Sequence, residues 1–193
     1  MRVKRIGVSG IVIAVALLLT GCLGGKSVTL TQRVLTEDER QLIYSAGGVE
    51  ALHFTSEDTL SAGKTIKFSV EQFEQGEFVG TLAEMSWTGS VEGVPAHIAF
   101  GVQSTEEQAV DRILFSGPGE LLRPELEIIP GGSTLLPGFE GELKLKQGES
   151  VYLAYYIVSS SGRVQALPVG EEEQLTHLKE YDRCLLLKAE WVQ

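Results

Sequence analysis

The 193-residue chain predicts a mainly β fold, an antiparallel sandwich with one short N-terminal helix. Three observations carry that expectation. From about residue 49 onward apolar positions recur with period two, as in Ile66, Phe68 and Val70 against Lys67, Ser69 and Glu71. Gly, Pro and Ser clusters interrupt the alternation at 89–95, 117–119, 130–132, 137–138 and 159–162. Helical signals are confined to one stretch ahead of the strands. Many short strands separated in this way pack as an immunoglobulin-like or jelly-roll-like sandwich.

The helix is the first element expected. Thr36 followed three residues later by Glu39 is a capping box, Glu37 and Asp38 complement the positive helix end, and Gly47-Gly48 stops it. Leu35, Leu42, Ile43 and Ala46 form its apolar side, which packs on the domain. The strands then follow at 51–55, 65–73, 78–83, 84–91, 96–103, 112–116, 126–129, 141–146, 150–159, 163–167 and 183–192. Glu74-Gln75-Gly76-Glu77 turns the first hairpin, which has one wet face. Residues 151–158 and Cys184-Leu185-Leu186-Leu187 are apolar on both faces and so belong at the centre of a sheet. Asn is absent and Asp numbers four beside 22 Glu, so Gly must supply most of the left-handed turn positions. Neither a repeat nor a linker divides residues 34–193, which read as a single domain.

Composition narrows the function. Sixteen Lys and Arg stand against 26 Asp and Glu, a net charge of −10, and no basic cluster follows the first five residues. Nucleic acid is therefore an unsuitable partner, because phosphates are held by clustered cations. His53, His97 and His177 lie far apart in sequence and lack the local spacing of metal ligands, so neither metal nor cofactor is expected. Ser61-Ala62-Gly63-Lys64 matches the pattern in which lysine activates a serine, but the accompanying Ser-Asp-Asn and Lys-Thr-Gly elements are missing, and it reads as a turn. Gly117-Pro118-Gly119 opens like a dinucleotide fingerprint, yet Leu122 stands where the third Gly is required. Gly131-Gly132-Ser133-Thr134 reads as a turn after Pro130, and Glu106-Glu107 and Glu171-Glu172-Glu173 as solvated acids in loops. No catalytic residue is assigned. Trp87, Tyr155, Tyr156 and Trp191 suit a core, whereas Phe139, in a Gly-Pro loop, is the candidate exposed contact for a ligand.

The amino terminus supplies an address. Arg2, Lys4 and Arg5 precede an uncharged stretch, 6–25, of which 11–19 is wholly apolar, the pattern of an export signal. The stretch includes Leu19-Thr20-Gly21-Cys22, and here the chain resembles bacterial lipoprotein precursors, whose lipobox reads Leu, a small residue, Gly or Ala, then Cys. The resemblance implies cleavage between Gly21 and Cys22, a diacylglyceryl group on the Cys22 thiol, and a protein held on the extracytoplasmic side of a bacterial cell membrane. Lipid-anchored proteins of this kind hold durably when two acyl chains are present. Residues 1–21 are then the signal peptide and 22–33 the lipidated Cys with a flexible tether, ten residues of which reach roughly 35 Å. Losing three cations from sixteen leaves 13 against 26 acids, a charge of −13. Cys184 is left without a partner, as a core thiol.

The expected function is accordingly that of a membrane-anchored surface lipoprotein with a non-catalytic binding or adaptor domain, meeting a protein or a glycan. The alternatives are a structural protein of the envelope and a carboxylate-based hydrolase.

Overall fold

The structure, a computed structural model, describes residues 27–45, 49, 51–56, 58, 60–89, 96–105, 107, 109–167 and 172–192. In chain order it passes through β1 (Ser27–Arg33), helix α1 (Glu37–Ser45), β2 (Ala51–Ser56), β3 (Thr65–Glu74), β4 (Glu77–Thr88), β5 (Ala96–Thr105) and β6 (Val110–Gly117). There follow β7 (Glu120–Leu122), β8 (Glu125–Glu127), β9 (Ser133–Leu135), β10 (Glu142–Lys146), β11 (Ser150–Ser159), a 3-10 helix (Glu172–Glu180) and β12 (Arg183–Trp191). Two antiparallel sheets result, packed face to face as a sandwich and not closed into a barrel. The first has the order β10-β1-β2-β5-β6-β7, with β8 also on β6; the second has the order β4-β3-β12-β11-β9.

Alternation selects the core. Leu30, Phe54, Phe100, Ile113 and Phe115 of the first sheet meet Ile66, Phe68, Val70, Tyr156, Leu185 and Leu187 of the second, all buried. Each such side chain contributes about 1.5–3 kcal/mol by leaving water.

The two strands that are apolar on both faces are central, as expected, because a third layer covers the outer face of the second sheet. Phe73, Tyr155, Ile157, Cys184 and Leu186 point outward there and are buried under Leu167, Leu178 and Tyr181. The layer is formed by residues 163–167 and the 3-10 helix. The expected strand at 163–167 does not form. Two phenols, Tyr155 on β11 and Tyr181 just after the 3-10 helix, take its backbone groups instead: Tyr155 donates to the Leu167 carbonyl (2.8 Å) and accepts from the Leu167 amide, and Tyr181 donates to the Gln165 carbonyl (3.1 Å). Beyond this layer the same face is wet. Glu84, Lys67, Glu190, Lys188 and Glu71 form a ladder of ion pairs at 3.3–3.8 Å, and Tyr152 donates to Glu71 at 3.2 Å.

Three further differences from the expected elements have physical causes. Ser27–Arg33 was expected in the flexible tether but is β1, an inner strand between β10 and β2. Its small polar residues alternate with Val28 and Leu30, both buried. The candidates 78–83 and 84–91 are one strand, β4, kinked where Val79 and Leu82 are extra residues against β3. Such bulges interrupt the free edge that a sheet would otherwise offer. Leu42, expected on the apolar side of α1, is 69 % exposed, while Ala46 lies outside the described residues.

The turns follow their residues. Gln75 and Gly76 both take positive φ (50° and 85°), the two-residue hairpin geometry. Lys64 N donates to Ser61 O (3.0 Å) around Gly63, so the serine and lysine of that motif mark a turn.

Strand registers define two ends. At one, β1 begins beside Lys146 and the β10–β11 turn, where Gly148 N donates to Trp191 O (3.0 Å). At the other, β1 delivers the chain to α1, close to the start of β2 and the end of β5.

Candidate functional site

The α1 end of the sandwich carries two adjoining depressions that share Leu52 as a wall. Beneath α1 lies an apolar groove of about 130 Å³, lined by residues including Val34, Leu35, Ile43 and Leu52. The capping box forms as the sequence predicts: Thr36 N donates to Glu39 Oε2 (2.9 Å) and Glu39 N to Thr36 Oγ1 (3.3 Å). The first of these bonds, to the Thr36 amide, holds the Glu39 carboxyl below its ordinary value. The cations on the groove are engaged within the chain, Arg33 with Glu39 and Arg40 with Glu37 (2.9 Å).

The second depression has more chemistry. It is a cleft of about 340 Å³ between the sheets, with apolar walls from Leu52, Val102, Leu135 and Leu136 and hydroxyls from Ser104, Thr134 and Tyr156. Behind those hydroxyls is Asp111, only 3 % exposed. It occupies an inward position of β6 in register with Ile113 and Phe115, where apolar residues are the rule. Ser104, its cross-strand partner on β5, donates to Asp111 Oδ1 (2.6 Å), and Tyr156 reaches across from the other sheet to donate to Oδ2 (3.3 Å). Burial first, and then the Asp111 charge, push the Tyr156 phenol up to about 12. The phenol therefore keeps its proton at neutral pH and remains a donor.

Among the described residues no Lys, Arg or His forms an ion pair with Asp111. The closest counterpart to this tie is Arg183 on β12, whose Nη1 donates to the Glu127 carbonyl on β8 (2.6 Å), again linking the sheets.

The residues singled out in the sequence are distributed otherwise. Phe139 is not an exposed contact: it is 7 % exposed and stacks on Phe54 with ring centroids 5.5 Å apart, because residues 137–139 pair with β11 and turn the ring inward. Trp87, Tyr155, Tyr156 and Trp191 are buried. His53 and His97 do converge, sharing a shallow depression with Arg33 and Ser116 on the outer face of the first sheet. Burial, followed by the Arg33 charge, lowers the His53 pKa. His177 lies elsewhere, 3.2 Å from Glu180. Among the described residues no group of three or more His, Cys, Asp or Glu is placed to hold a metal ion. Cys184 is buried, and desolvation pushes its thiol up to about 12. Gly21, Cys22, Glu106 and Glu171 lie outside the described residues.

Asp111 was missed because the expected strand began one residue later, at Arg112. The available signal was its spacing from Ile113 and Phe115, which sets an acid on the apolar side of the alternation.

No family of known proteins, no curated protein and no solved structure matches this chain. Among the described residues no helix is long and apolar enough to cross a membrane.

Proposed function

We propose that this protein is a bacterial lipoprotein, anchored through diacylglyceryl on Cys22 to the extracytoplasmic side of the cell membrane, whose sandwich domain is a non-catalytic binding module. The observation that carries the anchoring is Leu19-Thr20-Gly21-Cys22 at the end of an uncharged, largely apolar segment behind three cations. Ser27 already belongs to β1, so only four residues separate it from Cys22. The tether thus reaches roughly 17 Å, about half the length expected from sequence. The binding reading is supported by the cleft beside Tyr156, a concavity with apolar walls and a few convergent hydroxyls. The Asp111 carboxylate behind those hydroxyls already accepts two hydrogen bonds, which suits recognition better than proton transfer.

Anchoring is tested by expressing the full chain with radiolabelled palmitate. Wild type should take up label and partition into the detergent phase, whereas Cys22→Ala should do neither. A Cys22→Ala protein that is processed normally and stays with membranes after carbonate washing would overturn the proposal.

A further inference from the structure

We infer that the cleft beside Tyr156 binds a small organic cation, an ammonium or guanidinium head carried on an apolar body. The inference rests on the binding-module reading above and names its ligand class.

The polarity of the cleft is set by where its hydroxyl hydrogens go. Ser104 and Tyr156 both donate to Asp111, which has no hydrogen of its own to offer as a carboxylate. Their oxygens are left with lone pairs, so the surface toward the cleft is one of acceptors, polarised by the charge behind them. The Thr134 hydroxyl lines the same cleft beside Ser104 and Tyr156 and adds a further oxygen to its wall. A donor-rich cation fits such a wall, whereas a carboxylate or phosphate would face both repulsion and a shortage of donors.

Energetics point the same way. A buried carboxylate is costly unless a cation offsets it, and the described part of the chain supplies none. Arg112, next in sequence, points to the opposite face and pairs with Glu125 at 2.6 Å. Arg183, which links the sheets through the Glu127 carbonyl, has its nearest carboxylate in Glu74 at 3.8 Å. A cation entering from solvent is stabilised by Asp111 through low-dielectric surroundings while Leu52, Val102, Leu135 and Leu136 receive its apolar portion.

The test uses the full-chain protein in detergent with labelled Leu and Val methyl groups, titrated separately with hexylammonium, 1-hexanol and hexanoate. Hexylammonium should shift the methyls of Leu52, Val102, Leu135 and Leu136, half-saturating at about tenfold lower concentration than either matched probe. Asp111→Asn should remove that preference, and Thr134→Trp, which fills the mouth from an exposed position, should weaken all three. Should Asp111→Asn not fold, as read from its methyl spectrum, the probe ranking in wild type and the loss in Thr134→Trp decide the matter. Equal response to alcohol and ammonium overturns cation recognition while leaving a binding module in place. No response to any probe overturns the cleft as a site altogether, with the Cys22 anchor still read separately by detergent partition.

Discussion

Tyr156 on β11 donates its phenol to Asp111 on β6 across the interior of the sandwich, at 3.3 Å, so the two sheets are joined by a hydrogen bond to a buried carboxylate. Tyr156→Phe keeps the ring and removes the donor, leaving Asp111 with Ser104 alone. We expect it to lower unfolding free energy by about 1–3 kcal/mol, measured by urea denaturation. A variant as stable as wild type would show that water replaces the phenol without loss.

Alkaline pH should destabilise the fold. The Cys184 thiol rises from 9.0 to about 12 and the Tyr156 phenol from 10.0 to about 12, both chiefly by burial. The folded chain then holds protons that the unfolded chain has released, so stability falls as pH climbs from about 9 toward 12. Cys184→Ala should be less stable at neutral pH, for the lost volume, yet show a shallower decline above pH 9, followed by denaturation at stepped pH. The same burial predicts that Cys184 resists a thiol reagent in native buffer and reacts once denatured.

Tyr155 fixes the outer layer through one oxygen that serves both the carbonyl and the amide of Leu167. Tyr155→Phe should release residues 163–167 while the sandwich stays folded. Hydrogen exchange should show Leu167 losing protection, by about one to two orders of magnitude, with β5 and β6 unaffected.

The β3–β4 hairpin offers a backbone test. Gly76 has φ 85°, and a Cβ there would meet the Lys179 backbone nitrogen at 2.9 Å. Gly76→Ala should therefore cost about 1–2 kcal/mol, from strain and crowding together. Gly63, also at positive φ (79°) but with open space around it, should lose less on the same substitution.

How far these features could be read in advance depends on how local their causes are. The central position of β11 and β12 was legible because both faces of Tyr155, Tyr156, Leu185 and Leu186 are apolar, and the capping box at Thr36 because its two residues lie three apart. Phe139 was misread because a Gly-Pro setting signals a loop without saying which way a ring in it turns; contact with Phe54, 85 positions earlier, decides that. The cleft depends on β5, β6, β9 and β11 meeting, and no short window of sequence contains such a meeting. Residues 163–167 alternate like a strand, and only the two phenols reveal why they are not one.

The inner position of β1 has a mechanical consequence. Pulled lengthwise from its N-terminal end, the strand is loaded along its ladder with β10, where Ser27–Thr31 pair with 142–146, and along β2 from Thr31 to Arg33. Those backbone bonds lie across the direction of pull and must shear together, instead of opening one after another as at a peeled edge. A drag force entering the domain through residue 27 therefore meets a stiff, brittle attachment, whose lifetime is governed by the unfolding rate of the whole sheet.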